Sequence, residues 1–153
     1  MAKVILMSGI PGSGKSTIAK SFKGATIVSA DHWFERTGVY QFNPAELGTA
    51  HGNCLRKFVA TLINATDHLD GYETVVVVDN TNTSVVELAP YVALAQAYGA
   101  TIELINVKCD PEVAHKRNVH GVPLQGIKRM AEAIEARELP RFWDTSSSLS
   151  FNS

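Results

Sequence analysis

Cysteine is scarce in this sequence of 153 residues, occurring only as Cys54 and Cys109. Two thiols so far apart in the chain are too few for a disulfide framework or a zinc site, and buried free thiols are expected. An excess of one charge is lacking as well. Fourteen Lys and Arg against fifteen Asp and Glu leave a net charge of −1. That argues against non-specific coating of nucleic acid, which needs basic surface to neutralise many phosphates; a strand end held by few contacts, or a small acceptor, stays open. No apolar run reaches the roughly 18–20 residues of a membrane span. The apolar start Val4-Ile5-Leu6-Met7 meets glycine before it attains the length of a secretory h-region. A soluble, cytoplasmic protein with no membrane partner is therefore expected. With 45% hydrophobic and 19% charged residues and no internal repeat, the chain has the composition of one globular domain.

Apolar runs of strand length are present and alternate with helix-like stretches: Val4–Met7, Ala25–Val28, Thr74–Val78 and Ile102–Val107. Their β-branched, nearly uninterrupted character is that of parallel strands covered on both faces. Asn43-Pro44 with Glu46 reads as an N-cap, a proline at the first helical position and a capping-box glutamate, opening a helix to about Leu69 that Gly71 ends. Ser84 with Glu87 opens another, closed by Gly99, in which Pro90 marks a kink or a delayed start. Asp110-Pro111 and Val122-Pro123 open two more. The alternation implies an α/β domain with right-handed crossovers and a mainly parallel sheet. Residues 1–145 read as that domain, and the serine-rich 146–153 as a frayed tail.

The sharpest feature is Gly9-Ile10-Pro11-Gly12-Ser13-Gly14-Lys15-Ser16, directly after the first strand and before a helical segment. It fits the phosphate-loop pattern in the required context. Glycines let successive amide N–H groups turn inward onto a polyphosphate, and the next helix adds its positive end. Gly9, Pro11, Gly12, Ser13 and Gly14 are thus expected around ATP. Lys15 would reach the β and γ phosphates, Ser16 would place its hydroxyl on Mg²⁺, and Thr17 would hydrogen-bond an inner phosphate. The fold expected with such a loop is a P-loop NTPase-type three-layer sandwich, helices on both faces of the sheet, with a small helical lid.

Val75-Val76-Val77-Val78-Asp79 places a carboxylate at the end of a buried strand, where Asp79 would help hold the metal or merely cap the strand end. Asn80-Thr81-Asn82-Thr83 would hold an acceptor or form a turn. Asp31 follows the second strand, and neighbouring parallel strands open on one crevice. It is the candidate general base for an acceptor hydroxyl; N-capping of a short helix is the competing role. Arg117, in a basic helix end followed by Gly121, is the candidate for neutralising the transferred phosphoryl group, the alternative being a solvated helix terminus. Trp33, Phe34, Tyr40 and Phe42 would stack on a base of the acceptor or pack beneath a loop. Arg36, Lys128 and Arg129 are candidates for acceptor phosphates or simple surface charge.

In this order, the loop, Asp31, Asp79-Asn80-Thr81-Asn82 and Lys116-Arg117-Asn118 resemble the polynucleotide 5′-kinase family of P-loop kinases, including the kinase half of phage polynucleotide kinase-phosphatase and the NEDD4-binding-protein-2-like group. Ile27–Asp31, Tyr40–Pro44, and Arg117–Pro123 leading into Ile127–Met130 carry the likeness further. The resemblance implies Asp31 as catalytic base, Lys15 and Ser16 serving ATP and Mg²⁺, Arg117 contacting the donor, and transfer of the γ phosphate to a polynucleotide 5′-hydroxyl. Two positions depart from the phage enzyme. Phe34 stands where it has an acceptor-gripping arginine, and His120 stands in place of a second lid arginine. A kinase of a small metabolite or nucleoside, and a nucleotide-binding regulatory ATPase, are the alternative readings.

Overall fold

The structure, a computed structural model, describes residues 2–67, 72–143 and 147–152. Five parallel strands among them form one sheet: β1 (Ala2–Ser8), β2 (Thr26–Val28), β3 (Thr74–Asp79), β4 (Thr101–Lys108) and β5 (Ser147–Asn152), in the spatial order β2-β3-β1-β4-β5. The helices are α1 (Lys15–Lys20), α2 (Asp31–Phe34), α3 (Leu47–Asp67), α4 (Val85–Ala97), α5 (Pro111–Arg117) and α6 (Leu124–Ala136). β1 is the central strand, with Met7 beside Asp79 of β3 and Ser8 beside Asn106 of β4.

Alternation along β1 divides the core between two faces. Val4 and Leu6 join Val76, Val78 and Leu104 beneath Phe58 and Leu62 of α3 and Leu88, Tyr91 and Val92 of α4. Ile5 and Met7 join Val77, Ile105 and Val107 beneath Ile18, Ala19 and Phe22 around α1. Helices thus cover both faces of a parallel sheet, the three-layer α/β arrangement expected of the apolar runs. A third cluster, Ile10, Ala114 and Ile127, seats α5 and α6 over the loop that leaves β1.

Local differences from the sequence reading have physical causes. Asn43 does accept a hydrogen bond from the Ala45 N–H, but the turn it caps is a 3₁₀ segment, Pro44–Glu46, ahead of α3. Gly71, the expected stop of that helix, lies outside the described residues. Pro90 sits inside α4 without delaying its start. The carbonyl it leaves without an intrahelical partner is that of Val86 four residues back, and Val86 is 81% exposed, so water can serve it. The serine-rich end is the largest correction. Ser147–Asn152, expected as frayed tail, runs parallel to β4 from Glu103↔Ser147 to Lys108↔Asn152. The free edge of β4 offers a row of backbone donors and acceptors, and pairing with them does not require an apolar side-chain pattern.

Candidate phosphotransfer site

The segment 9–14 is the turn from β1 into α1. Gly12 and Gly14 have φ of 81° and 97°, values that an L side chain rarely adopts. A Cβ on Gly12 would also run into the Ala114 carbonyl of α5. The Ser13 N–H donates to the Ile10 carbonyl at 3.1 Å, and the Gly9 N–H ties the loop to the Thr81 carbonyl at 3.0 Å. The Ser13 hydroxyl is fully buried and has no hydrogen-bond partner. Leaving a buried donor unpaired costs about 1–3 kcal/mol, and a phosphate oxygen cradled by this glycine loop would satisfy it. The residues present therefore fit a bound polyphosphate.

Lys15 is only 8% exposed, and its ammonium donates to the Ile10 carbonyl at 3.0 Å. Burial pushes its pKa below the usual lysine value, opposed by the charges of Asp79 and Asp31. Those two carboxylates thus act on the loop lysine together. The Ser16 hydroxyl donates to Asp79 Oδ2 at 2.8 Å. A hydroxyl and a carboxylate joined in this way form the hard oxygen pair from which Mg²⁺ is held in phosphate sites, and Ser16 and Asp79 are the residues that would hold it here.

Asp31 opens α2, and the cap position before it, Ala30, is αR with no side-chain cap bond. Its carboxylate is turned elsewhere: the Tyr40 hydroxyl donates to Oδ1 at 3.4 Å, and His120 Nδ1 lies 3.7 Å from Oδ2. The Tyr40 and His120 rings stack with centroids 4.1 Å apart and planes 8° from parallel. Burial, followed by the negative charge of Asp31, pushes the Tyr40 phenol up to about 12. The backbone at Asp31 is set by Asn80, whose buried side chain accepts the Ala30 N–H at 2.8 Å and donates to Cys54 Sγ at 3.6 Å. Asn82, with φ of 45°, donates to the Met7 carbonyl at 2.7 Å. Of the two roles weighed for Asn80–Thr83, these bonds are those of a turn.

Arg117 is the last residue of α5 and exposed, and the helix leads straight to the loop: the Asn118 nitrogen would lie 3.2 Å from a Cβ on Gly12. Arg36 is engaged by Trp33 and Glu46. Its guanidinium lies 4.0 Å over the Trp33 ring and 3.6 Å from the Glu46 carboxylate. Arg137, which no motif singled out, donates to Ser8 Oγ at 2.8 Å and also to the Asn82 carbonyl and Asn106 Oδ1. It binds three segments that meet at the site. Only proximity in the fold reveals it, since it lies 129 residues from Ser8 in sequence.

The sequence pattern of an AAA domain family matches residues 4–121, which takes in the loop, Asp31, Asp79, Arg117 and His120. The chain belongs to that family. As an AAA domain it is 32% identical over 137 residues to human NEDD4-binding protein 2, covering 84% of this chain and 7% of that protein. It therefore spans a small part of the curated relatives it matches, 11% in the case of the YLP motif-containing protein 1 of Rattus norvegicus. Among solved structures, a sugar kinase from Janibacter sp. HTCC2649 superposes with a TM-score of 0.59 at 16% identity over 99% of this chain and 86% of that one. The APS kinase of Mycobacterium tuberculosis, in complex with AMPPNP and APS, gives 0.54 at 17% identity over 97% and 88%. The AAA domain thus has a P-loop kinase-like fold. No helix among the described residues is long and apolar enough to cross a membrane.

Proposed function

We propose that this chain transfers the γ phosphate of ATP, with Mg²⁺, to an alcohol, and that the acceptor is the 5′-hydroxyl of a polynucleotide. The observation that carries the phosphotransfer reading is the pairing of Ser16 with Asp79 at 2.8 Å beside a buried Lys15 on which both Asp79 and Asp31 act. Gly9–Gly14 and Lys15 would hold the phosphates, Thr17 an inner one, and Ser16 with Asp79 the metal, whose chemistry is to neutralise charge on the phosphates. Asp31 would take the proton of the attacking hydroxyl and aim its oxygen at the γ phosphorus, while ADP departs. Arg117, beside the loop, would meet charge developing on the phosphoryl group.

The polynucleotide acceptor is supported by the resemblance of the loop, Asp31, Asp79–Asn82 and Arg117–Pro123 to 5′-kinases. A small-molecule acceptor is favoured by one specific observation: Arg36 is held by Glu46 and Trp33, and no arginine follows Asp31 at the step occupied by Phe34. Labelled ATP offered to 5′-hydroxyl DNA and RNA oligonucleotides and to a panel of sugars, nucleosides and other metabolites tests this. Label on the oligonucleotides is expected. Label confined to metabolites overturns the acceptor, and hydrolysis without any labelled acceptor makes the chain a regulatory ATPase. Asp31→Asn should lower transfer by about 10²- to 10⁴-fold with ATP affinity kept, as loss of a general base does. Unchanged turnover removes Asp31 from that role.

A further inference from the structure

We propose that His120 occupies the acceptor's place in the resting enzyme, and that a planar base of the acceptor displaces it from the face of Tyr40. The proposal rests on the phosphotransfer reading above and adds the ring-binding subsite to it. Four aromatic residues follow Asp31 closely in the sequence, Tyr40 touches its carboxylate, and Trp33 and Phe34 have their faces committed. The Trp33 indole N–H donates to Glu46 at 2.9 Å while Arg36 covers the ring. Phe34 is 2% exposed, within a cluster with Ala30 and Ala50. Phe42 packs against Phe34 with ring centroids 5.1 Å apart and is otherwise 51% exposed. Tyr40 meets the 118–123 connection between α5 and α6, and the ring lying flat on it is the His120 imidazole.

The same two residues flank the candidate base. Tyr40 faces Oδ1 of Asp31 and His120 faces Oδ2. A hydroxyl that gives its proton to Asp31 must come within about 2.6–3.2 Å of one of these oxygens, and on the Tyr40 side of the half-exposed carboxylate the His120 ring stands in that approach. The 118–123 connection that carries His120 has room for it to move. The Asn118 side chain accepts the His120 N–H at 3.0 Å and donates to the Val122 carbonyl at 3.3 Å, closing a small turn anchored at its two ends, by Asn118 at the end of α5 and by Val122 against the cluster of Ile10, Ala114 and Ile127, with His120 between them. Gly121, with φ of 72°, follows His120 directly, and Val119 before it is 86% exposed. A purine or pyrimidine presents a larger face to Tyr40 than an imidazole does, and stacking of this kind tolerates any base.

The test combines spectroscopy and kinetics. Ring current from Tyr40 should move the His120 imidazole proton resonances upfield, with the assignment made from His120→Asn. A saturating 5′-hydroxyl oligonucleotide should return them to ordinary positions. In transfer assays, Tyr40→Leu should raise the oligonucleotide KM about tenfold, the loss of one stacked base, with the ATP KM unmoved and Tyr40→Phe close to wild type. His120→Ala should lower the oligonucleotide KM. An oligonucleotide with an abasic 5′-terminal nucleotide should lose this advantage. An upfield His120 signal at saturating acceptor, or equal KM for intact and abasic ends, overturns the proposal and leaves the polynucleotide reading intact. No transfer to any oligonucleotide by wild type or His120→Ala overturns both.

Discussion

Asp31 is half-open to solvent and keeps its two oxygens facing different partners, so its surroundings should be readable through Tyr40. The Tyr40 phenol is pushed up to about 12 by burial first, then by the charge of Asp31 and its hydrogen bond, then by Glu35. Asp31→Asn removes the negative charge while leaving burial, the Glu35 charge and an amide oxygen that can still accept the phenol proton. The tyrosinate titration, followed by ultraviolet absorbance against Tyr40→Phe, should therefore move down toward 10 without reaching it. The sign for stability follows from linkage. A native phenol that keeps its proton while the unfolded chain releases it contributes stability that is complete below pH 10 and lost as pH rises through about 12. Tyr40→Phe should flatten that part of the stability curve, and an unchanged alkaline slope would mean that the Tyr40 phenol is not held away from solvent as the fold places it.

At the scale of elements, the phosphate loop and α5 are fitted to each other through one missing side chain. Gly12→Ala meets two penalties: a left-handed φ costing about 1–2 kcal/mol, and a collision with the Ala114 carbonyl that α5 can relieve only by moving. The variant should unfold at lower temperature and lose nucleotide binding, whereas a substitution at Gly38, where nothing stands within 4 Å of a Cβ, meets only the strain of its φ of 92°. A Gly12→Ala protein that binds ATP normally would contradict the packing of α5 on the loop. Features of this local kind were legible in the sequence. The glycine spacing, the Ser84 cap that accepts the Glu87 N–H, and the Asp110 cap before Pro111 depend on neighbours within a few residues. The stack of Tyr40 on His120, the grip of Asn80 on the Ala30 backbone and the addition of β5 to β4 depend on segments brought together by the sheet. No periodicity encodes them. The serine-rich end departs from the expectation because side-chain composition says little about backbone pairing at a sheet edge.

The whole molecule places its chemistry by strand order. With β1 between β3 and β4, the loop after β1, the carboxylate ending β3 and the turn beyond it all emerge at one end of the sheet. Arg137, arriving from beyond α6, ties that end together through Ser8, the Asn82 carbonyl and Asn106. Hydrogen bonds from a charged donor contribute about 1.5–3 kcal/mol where they are well shielded. Arg137 is half-buried, and solvent competes for part of its head. Arg137→Ala should then cost about 2–4 kcal/mol in denaturant unfolding, and Arg137→Lys, which has no planar fork to reach three acceptors at once, should recover only part of it. Ser8 immediately precedes Gly9, and Asn82 follows Thr81, whose carbonyl holds the Gly9 N–H. The loss should therefore also reach the phosphate loop, weakening ATP binding at temperatures where the chain is still folded. Arg137→Ala with ATP affinity untouched and stability within about 0.5 kcal/mol of wild type, the range of an ordinary surface substitution, would show that the strand ends hold their positions without this tie.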